Sequence, residues 1–298
     1  MVGIAPMMHD GNMREKVCII TGATTGIGKV TALALARRGA IVGVVGRRTA
    51  RASRVAAELA GATGNTAIVP LTADLSSQRD VRALAAEIRA RFGRVHVLVN
   101  NAGALFGERL ESVDGIELTL ALNHLSYFLL TTLLLDVLRA TGTTDDPARV
   151  VNVSSEAHRA LPRLPLDDLE GERRWAAVRQ YAVSKLANVM FTYELARRIG
   201  TDPVTTNVLH PGNVASNFAR ETTSGLLRFG FWIARPFLLT PERGAATQIH
   251  LATAPDLAHT TGKYFIRSRP RRSSRASYDV EAQRGLWAES ERLVGASA

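Results

Sequence analysis

Short, continuous apolar runs alternate along the chain with longer stretches in which apolar residues recur every three to four positions. The runs cover residues 17–21, 41–45, 66–71, 95–100, 150–154 and 205–210. They are rich in β-branched residues and show no polar alternation, so each predicts a strand buried on both faces. Between them the helical period covers 27–38, 50–60, 78–91, 115–139 and 179–199. Strand and helix taking turns in this way predict βαβ units, and hence a parallel sheet with helices on both faces. No linker rich in Pro, Gly or Ser divides the chain, and no repeat exceeds the βα period. One α/β domain is therefore expected over residues 1–298, with 1–13 as an N-terminal tail and 267–298 as a basic loop and C-terminal helix.

Two segments break the rhythm. Residues 156–178 are polar and proline-containing; 222–239 hold the apolar, aromatic stretch GLLRFGFWIARPFLL. Both follow strand ends, where open α/β sheets bind ligands, so both are expected to border a substrate. The second reads as a substrate lid, with a core helix as the alternative. It falls short of the ~20 apolar residues of a membrane span, and it includes Arg228, Arg235 and Pro236. A weak interfacial contact with a bilayer stays compatible with it. Residues 118–138 are more apolar, but Asn123, His124, Ser126 and Asp136 interrupt them. That predicts a buried or interface helix, not a transmembrane one.

Composition narrows the function classes. With 46% hydrophobic residues in 298, a sizeable core is expected. The single cysteine, Cys18, lies inside the first apolar run, which excludes an intrachain disulfide and reads as a small buried hydrophobe. The histidines show no metal-ligand spacing, so no metal is expected. Residues 1–13 lack the pattern of a signal peptide, and a cytoplasmic location is expected. The formal charge is +10, carried mainly by arginine, and five arginines fall in RSRPRRSSR (267–275). No nucleic-acid motif or interleaved aromatic accompanies that run, so it reads as a solvated loop or edge, with no nucleic-acid partner.

Candidate chemistry begins at TGATTGIG (21–28), directly after the first strand and opening the first helix. Gly22, Gly26 and Gly28 permit a tight turn and a close backbone approach to a pyrophosphate, and the helix N-terminus adds N–H groups and a positive dipole end. An NAD site usually has an acidic residue at the end of the second strand, bonding the ribose 2′-OH. Here Gly46 stands there, followed by Arg47 and Arg48. Glycine leaves room for a 2′-phosphate and arginine can bind it bidentately, so NADP(H) is the expected cofactor. Asp74, ending the third strand, suits either the adenine amino group or the cap of the next helix. NNAG (100–103) ends the fourth strand with small residues.

In this order TGxxxGIG, NNAG, NVSS (152–155), YxxxK at Tyr181 and Lys185, and HPG (210–212) resemble the short-chain dehydrogenase/reductase family over roughly 14–266. ALNHLSYFLLT, NVSSEAHR and YAVSKLANVMFTYELARR resemble its retinol-dehydrogenase-like branch. The resemblance implies a Rossmann-type doubly wound sheet of about seven parallel strands, ordered 3-2-1-4-5-6-7, and hydride transfer between carbonyl and alcohol on an apolar small molecule. It implies Asn123, Ser155, Tyr181 and Lys185 as the catalytic set, with Ser155 preferred to Ser154, Tyr181 moving the proton, Lys185 also bonding the nicotinamide ribose, and Asn123 holding a relay water. The cofactor cradle it implies adds Thr24, Thr25, Ile27, Leu75, Asn101, Ala102, Gly103, Pro211, Gly212, Val214 and Ser216, the last a serine where the family has threonine. A homo-oligomer is compatible with it.

Tyr181 and Lys185 lie one helical turn apart, on one face. A cation ~4 Å from a phenolate, at an effective dielectric of ~20, stabilises it by roughly 4 kcal/mol, about 3 pKa units, which would bring the phenol toward neutrality; this is a ceiling, since desolvation opposes it. Residues 156–178 read as an insertion, and His158 within them as a surface or capping residue. Two other functions stay open: a non-catalytic dinucleotide sensor or scaffold, and an oxidative NAD-dependent alcohol, retinol or steroid dehydrogenase.

Overall fold

The computed structural model describes residues 12–212 and 239–295. One eight-stranded sheet has the order β3-β2-β1-β4-β5-β6-β7-β8. Its strands are β1 Val17–Ile20, β2 Ile41–Gly46, β3 Ile68–Thr72, β4 Val97–Asn100, β5 Ala148–Val153, β6 Val204–His210, β7 Lys263–Ile266 and β8 Arg269–Arg271. All neighbours pair in parallel except β7 with β8. The Rossmann-type order follows the expectation; the added eighth strand lies inside the arginine run. Arg267 and Ser268 adopt positive φ (50° and 59°), which reverses the chain and lays Arg269–Arg271 on β7 as an exposed edge. Arginine and proline there leave little template for a further strand.

The helices are α1 Gly26–Arg37, α2 Thr49–Thr63, α3 Gln78–Phe92, α4 Leu118–Thr141, α5 Ala177–Ile199, α6 Pro241–Thr253 and α7 Val280–Leu293. The pleat sorts the core into two layers. Val17 and Ile19 of β1 join α3, α4, α5 and α7 on one face; Cys18 and Ile20 join α1, α2 and α6 on the other. This two-sided burial is why the inner strands read as unbroken apolar runs; β3, at the sheet edge, departs from the expectation, with Val69 and Pro70 half-buried and Thr72 exposed. Burial also pushes the Cys18 thiol up to about 12. Left-handed glycines close two helices, Gly64 after α2 and Gly93 after α3. Ser77, Thr240 and Asp279 cap the starts of α3, α6 and α7 through their side chains.

Helix α4 is long and apolar enough to cross a membrane by composition, yet Leu120, Leu125, Phe128, Leu130, Leu134 and Leu138 are buried in the core. It starts three residues later than its periodicity suggests and contains a π-turn, Ala121–Leu125. Side chains meet the carbonyls this turn frees: Ser126 Oγ donates to Leu122 O (2.7 Å) and Asn188 Nδ2 to Asn123 O (2.8 Å). Helix α7 closes this layer. Trp287 stacks on Phe191 and meets Phe128 edge-on, with the Arg198 guanidinium 4.1 Å from its ring centroid.

Candidate active site

The outer end of the site is the turn from β1 into α1. Gly22 has φ +64°, and a Cβ there would lie 2.9 Å from Ala102 Cα; one on Gly28 would lie 2.5 Å from Gly22 O. Glycine is thus required where the turn folds on itself and on the end of β4. Thr25, the residue before α1, makes no side-chain cap bond, and the first turn carries no acid. The first N–H groups of α1 therefore keep their affinity for an anion.

A second layer of bonds braces this turn. Thr21 Oγ1 accepts from the backbone N–H of Asn101 (2.8 Å) and Ala102 (3.1 Å). Asn101 Nδ2 donates to Thr21 O (2.8 Å), while its Oδ1 accepts from Gln248 Nε2 (2.9 Å). Gln248 Oε1 in turn accepts from Thr31 Oγ1 (2.7 Å). Asn101 lies at the expected place, but its amide is spent on the scaffold. Gln248 and Thr31 escape sequence reasoning, because a polar residue on an amphipathic helix carries no local mark of its partner.

The ends of β2 and β3 show how two of the expected residues are held. A Cβ on Gly46 would overlap the Thr24 γ-methyl, so the contact with Thr24 keeps a side chain away from position 46, and Gly46 lines the cleft beside the arginines. Asp74 does not cap α3; Ser77 does, accepting from Asp80 N. Asp74 Oδ1 instead takes both the N–H (3.0 Å) and the hydroxyl (2.7 Å) of Ser76, closing a local turn. Arg47 and Arg48 are exposed and line the cleft, as does Arg51, one turn into α2 and not foreseen.

The inner end is built by one face of α5 against β5. Tyr181, Lys185, Asn188 and Thr192 succeed one another along it at three- and four-residue spacing. Lys185 Nζ donates to Val153 O (3.3 Å), as does Asn188 Nδ2 (3.2 Å), and Asn152 Nδ2 donates to Thr192 Oγ1 (3.0 Å). The lysine nitrogen lies 5.5 Å from the Tyr181 ring centroid and 5.7 Å from that of Tyr127. The two serines separate: Ser154 Oγ donates to Lys185 O (2.7 Å), whereas Ser155 hydrogen-bonds the Tyr181 hydroxyl. Asn123 lies behind them, wholly buried. Its Oδ1 accepts from Ala104 N and its Nδ2 donates to Ala104 O (2.9 Å each) and to Ser184 Oγ (3.1 Å). Its amide therefore clamps the strand-end loop, and its backbone carbonyl is taken by Asn188.

Burial works against the expected lowering of the phenol. Tyr181 is raised above its ordinary value by burial, and the Ser155 bond offsets this only in part. Burial also lowers Lys185 to about 7, so near neutrality the phenol faces a partner that is only partly charged.

His158 differs too: it is fully buried. Its Nδ1 lies 2.6 Å from Ser155 O and its Nε2 accepts from Ser274 N (3.0 Å). That pairing makes Nδ1 the protonated nitrogen. The insertion around it is drawn inward, since Leu164 and Leu169 join the core, and none of 156–178 lines the cleft among the described residues.

Both ends open into one cleft of about 750 Å³ at the carboxyl ends of the strands. It brings together Gly22, Thr24, Thr25, Gly26, Ile27, Gly28, Arg47, Arg48, Asp74, Leu75, Asn101, Ala102, Gly103, Ser155, Tyr181, Lys185, Pro211 and Gly212. Phe106, Leu118 and Leu122, not foreseen, give its inner end an apolar wall. Val214, Ser216 and the lid expected up to residue 238 lie outside the described residues.

Comparisons with known proteins agree with this fold. A family profile described as short chain dehydrogenase matches residues 16–226. Human "Retinol dehydrogenase 12" is 42% identical over 281 residues, 94% of this chain and 86% of its own length. Among solved structures, a "Pseudomonas aeruginosa RhlG/NADP active-site complex" is 29% identical with a TM-score of 0.69, covering 87% of this chain and 97% of its own. A 3-ketoacyl-(acyl-carrier-protein) reductase from Brucella melitensis complexed with NADH is 25% identical with a TM-score of 0.66, covering 85% and 96%. Neighbours of one fold thus carry either dinucleotide.

Proposed function

The chain belongs to the short-chain dehydrogenase family, in its retinol-dehydrogenase-like branch, and from that premise we propose that it is an NADP(H)-dependent oxidoreductase interconverting a carbonyl and an alcohol on an apolar substrate. The observation that carries this reading is the convergence at the inner end of the cleft: Ser155 on the Tyr181 hydroxyl, with Lys185 beneath the same ring, reached from the glycine turn along one cavity.

When bound, the nicotinamide supplies or accepts the hydride. Gly22 to Gly28 would hold its pyrophosphate, Asp74 Oδ2 the adenine amino group, and Lys185 the ribose. Arg47, Arg48 and Arg51 supply positive charge at the end of β2, where Gly46 offers no carboxylate. A 2′-phosphate gains charge-assisted bonds there that a 2′-hydroxyl does not. Tyr181, held protonated, gives its proton to the oxygen of the reduced carbonyl, and Ser155 steadies that oxygen. A protonated phenol suits reduction; the reverse reaction needs a cation close enough to stabilise the phenolate. Phe106, Leu118 and Leu122 favour an apolar group beside the reacting carbon, and the names of the relatives make a retinoid aldehyde the first substrate to try.

The test is steady-state kinetics on a panel of apolar aldehydes and ketones, retinal included, with NADPH and NADH. The expected result is a higher kcat/KM with NADPH by at least about tenfold, the scale of one lost charge-assisted bond. Equal values, or a preference for NADH, overturn the cofactor assignment. Tight NADPH binding with no turnover across the panel points instead to a sensor.

A further inference from the structure

The end of β2 meets the glycine turn at a contact without slack. Gly46 is an ordinary strand residue, paired with Thr72 of β3, and is not among the glycines with positive φ. Its backbone would accept any side chain. What forbids one is a single neighbour. A Cβ at position 46 would lie well inside 3.0 Å of the Thr24 γ-methyl, yet at an ordinary 3.6 Å from both Thr24 Cβ and Ala52 Cβ. Among the described residues, the one contact that crowds a Cβ at 46 is therefore a methyl group, that of Thr24.

Position 46 is also the strand end where an acidic side chain would accept the ribose 2′-hydroxyl of NAD. We propose that Thr24 is a specificity-determining residue: its γ-methyl bars every side chain from position 46, the carboxylate included, and leaves recognition of this end of the ribose to the arginines that follow. The sign of the effect on cofactor choice rests on the NADP(H) reading above; the steric interlock does not. The two residues act as one unit, so the single change Gly46→Asp forces the phosphate-binding turn outward, whereas Gly46→Asp together with Thr24→Ser lets the acid enter. Serine keeps the hydroxyl and deletes only the methyl.

The experiment measures equilibrium dissociation constants of NADPH and NADH by nucleotide fluorescence, without turnover, for the wild type, Gly46→Asp, and the Thr24→Ser/Gly46→Asp double variant, with a melting curve for each. Gly46→Asp should weaken both cofactors and lower the melting temperature. The double variant should bind NADH about tenfold or more tightly than Gly46→Asp does, the scale of one regained charge-assisted bond, and NADPH should stay weak through repulsion by the new carboxylate. If Gly46→Asp alone gains NADH binding as well as the double variant does, Thr24 is not the gate. If the double variant binds NADH no better than Gly46→Asp, the interlock is overturned. Where Gly46→Asp fails to fold, the pair Gly46→Ala and Thr24→Ser/Gly46→Ala reads the same contact: the second should melt higher than the first, and equal melting overturns the proposal. A wild type with no preference for NADPH sinks the cofactor reading, while the comparison of single with double variant still reports on Thr24.

Discussion

The two ends of the cleft are made in different ways. The outer end is a run of consecutive residues, Gly22 to Gly28, whose function lies in backbone N–H groups and in the absence of side chains. The inner end collects side chains from α4, β5 and α5 that are far apart in sequence, and behind them stands a third group, the chain from β7 to α7. Arg159 ties its guanidinium to Arg272 O, His158 accepts from Ser274 N, Tyr193 meets the Ser273 hydroxyl, and Ser290 bonds His124. A backbone site is specified locally and fails when atoms are added. A side-chain site is specified by the fold and fails when atoms are removed. The variants that follow divide along that line.

The largest effect is expected at the inner end. Tyr181→Phe removes one oxygen and leaves the ring in place beside Lys185. Turnover should fall by ~10²–10⁴ or more, the usual range for a lost general acid, while the dissociation constant of the cofactor stays within about twofold. Substantial retained activity would remove Tyr181 from the mechanism. At the outer end the matching change adds an atom. Gly28→Ala sets a methyl 2.5 Å from Gly22 O and from Asn101 Nδ2. Cofactor affinity should drop by about 10- to 100-fold, from strain of order 1–3 kcal/mol, and kcat at saturating cofactor should change much less. If both variants lose binding and turnover alike, the two ends are one unit and the distinction fails.

The sequence was informative in proportion to how local each feature is. The glycine turn, the two-sided inner strands and the face shared by Tyr181 and Lys185 follow from spacing alone, and these appear where periodicity places them, whereas β3, an edge strand in the fold, is buried only in part. The choice of Ser155 over Ser154 came from motif position, and only the end geometry of β5 shows the two hydroxyls turned to different partners. What the chain could not reveal is what lies across space. His158 is polar and sits in a polar insertion, so its sequence reads as surface; Ser274, more than a hundred residues later, supplies the N–H that lets it be buried. The protonation of the inner end is hidden for the same reason. Four-residue spacing gives the attraction between Lys185 and the phenol, and desolvation is known to oppose it, but spacing does not say how large that desolvation is.

His158→Gln tests the third group behind the inner end. The histidine joins Ser155 O to Ser274 N, and its pKa is lowered by burial, so it acts as a neutral strut. As a positioning residue it should affect kcat, by roughly tenfold, more than cofactor affinity, because Ser155 shifts relative to Tyr181 while the outer end is untouched. The fold should lose ~1–3 kcal/mol through the exchanged buried hydrogen bonds. A loss of stability with kcat unchanged would confine His158 to a structural role.

The smallest effect is a pH slope. Lys185 is 3% exposed and lowered to about 7 by burial, against an ordinary 10.5. Between those values the unfolded chain binds a proton that the folded chain does not, so stability rises with pH across the window, by at most ~1.4 kcal/mol per unit. The other buried groups leave the lower part of that window clear. His124, lowered to about 4, and the lowered His96, His158 and His210 act below the ordinary histidine value of 6.5. Cys18, raised to about 12, acts with the opposite sign only above 9.0. Lys185→Met fills the same channel without a charge, and Val153 O keeps its bond from Asn188. Denaturant unfolding of the cofactor-free protein at several pH values between roughly 7 and 8.5 should show stability climbing in the wild type and a flatter profile in Lys185→Met, with the variant the more stable at pH 7 although inactive. A wild-type profile as flat as the variant's would mean that Lys185 keeps its charge inside the fold, which restores the strong cation beneath the Tyr181 phenol and with it a site as well suited to oxidation as to reduction.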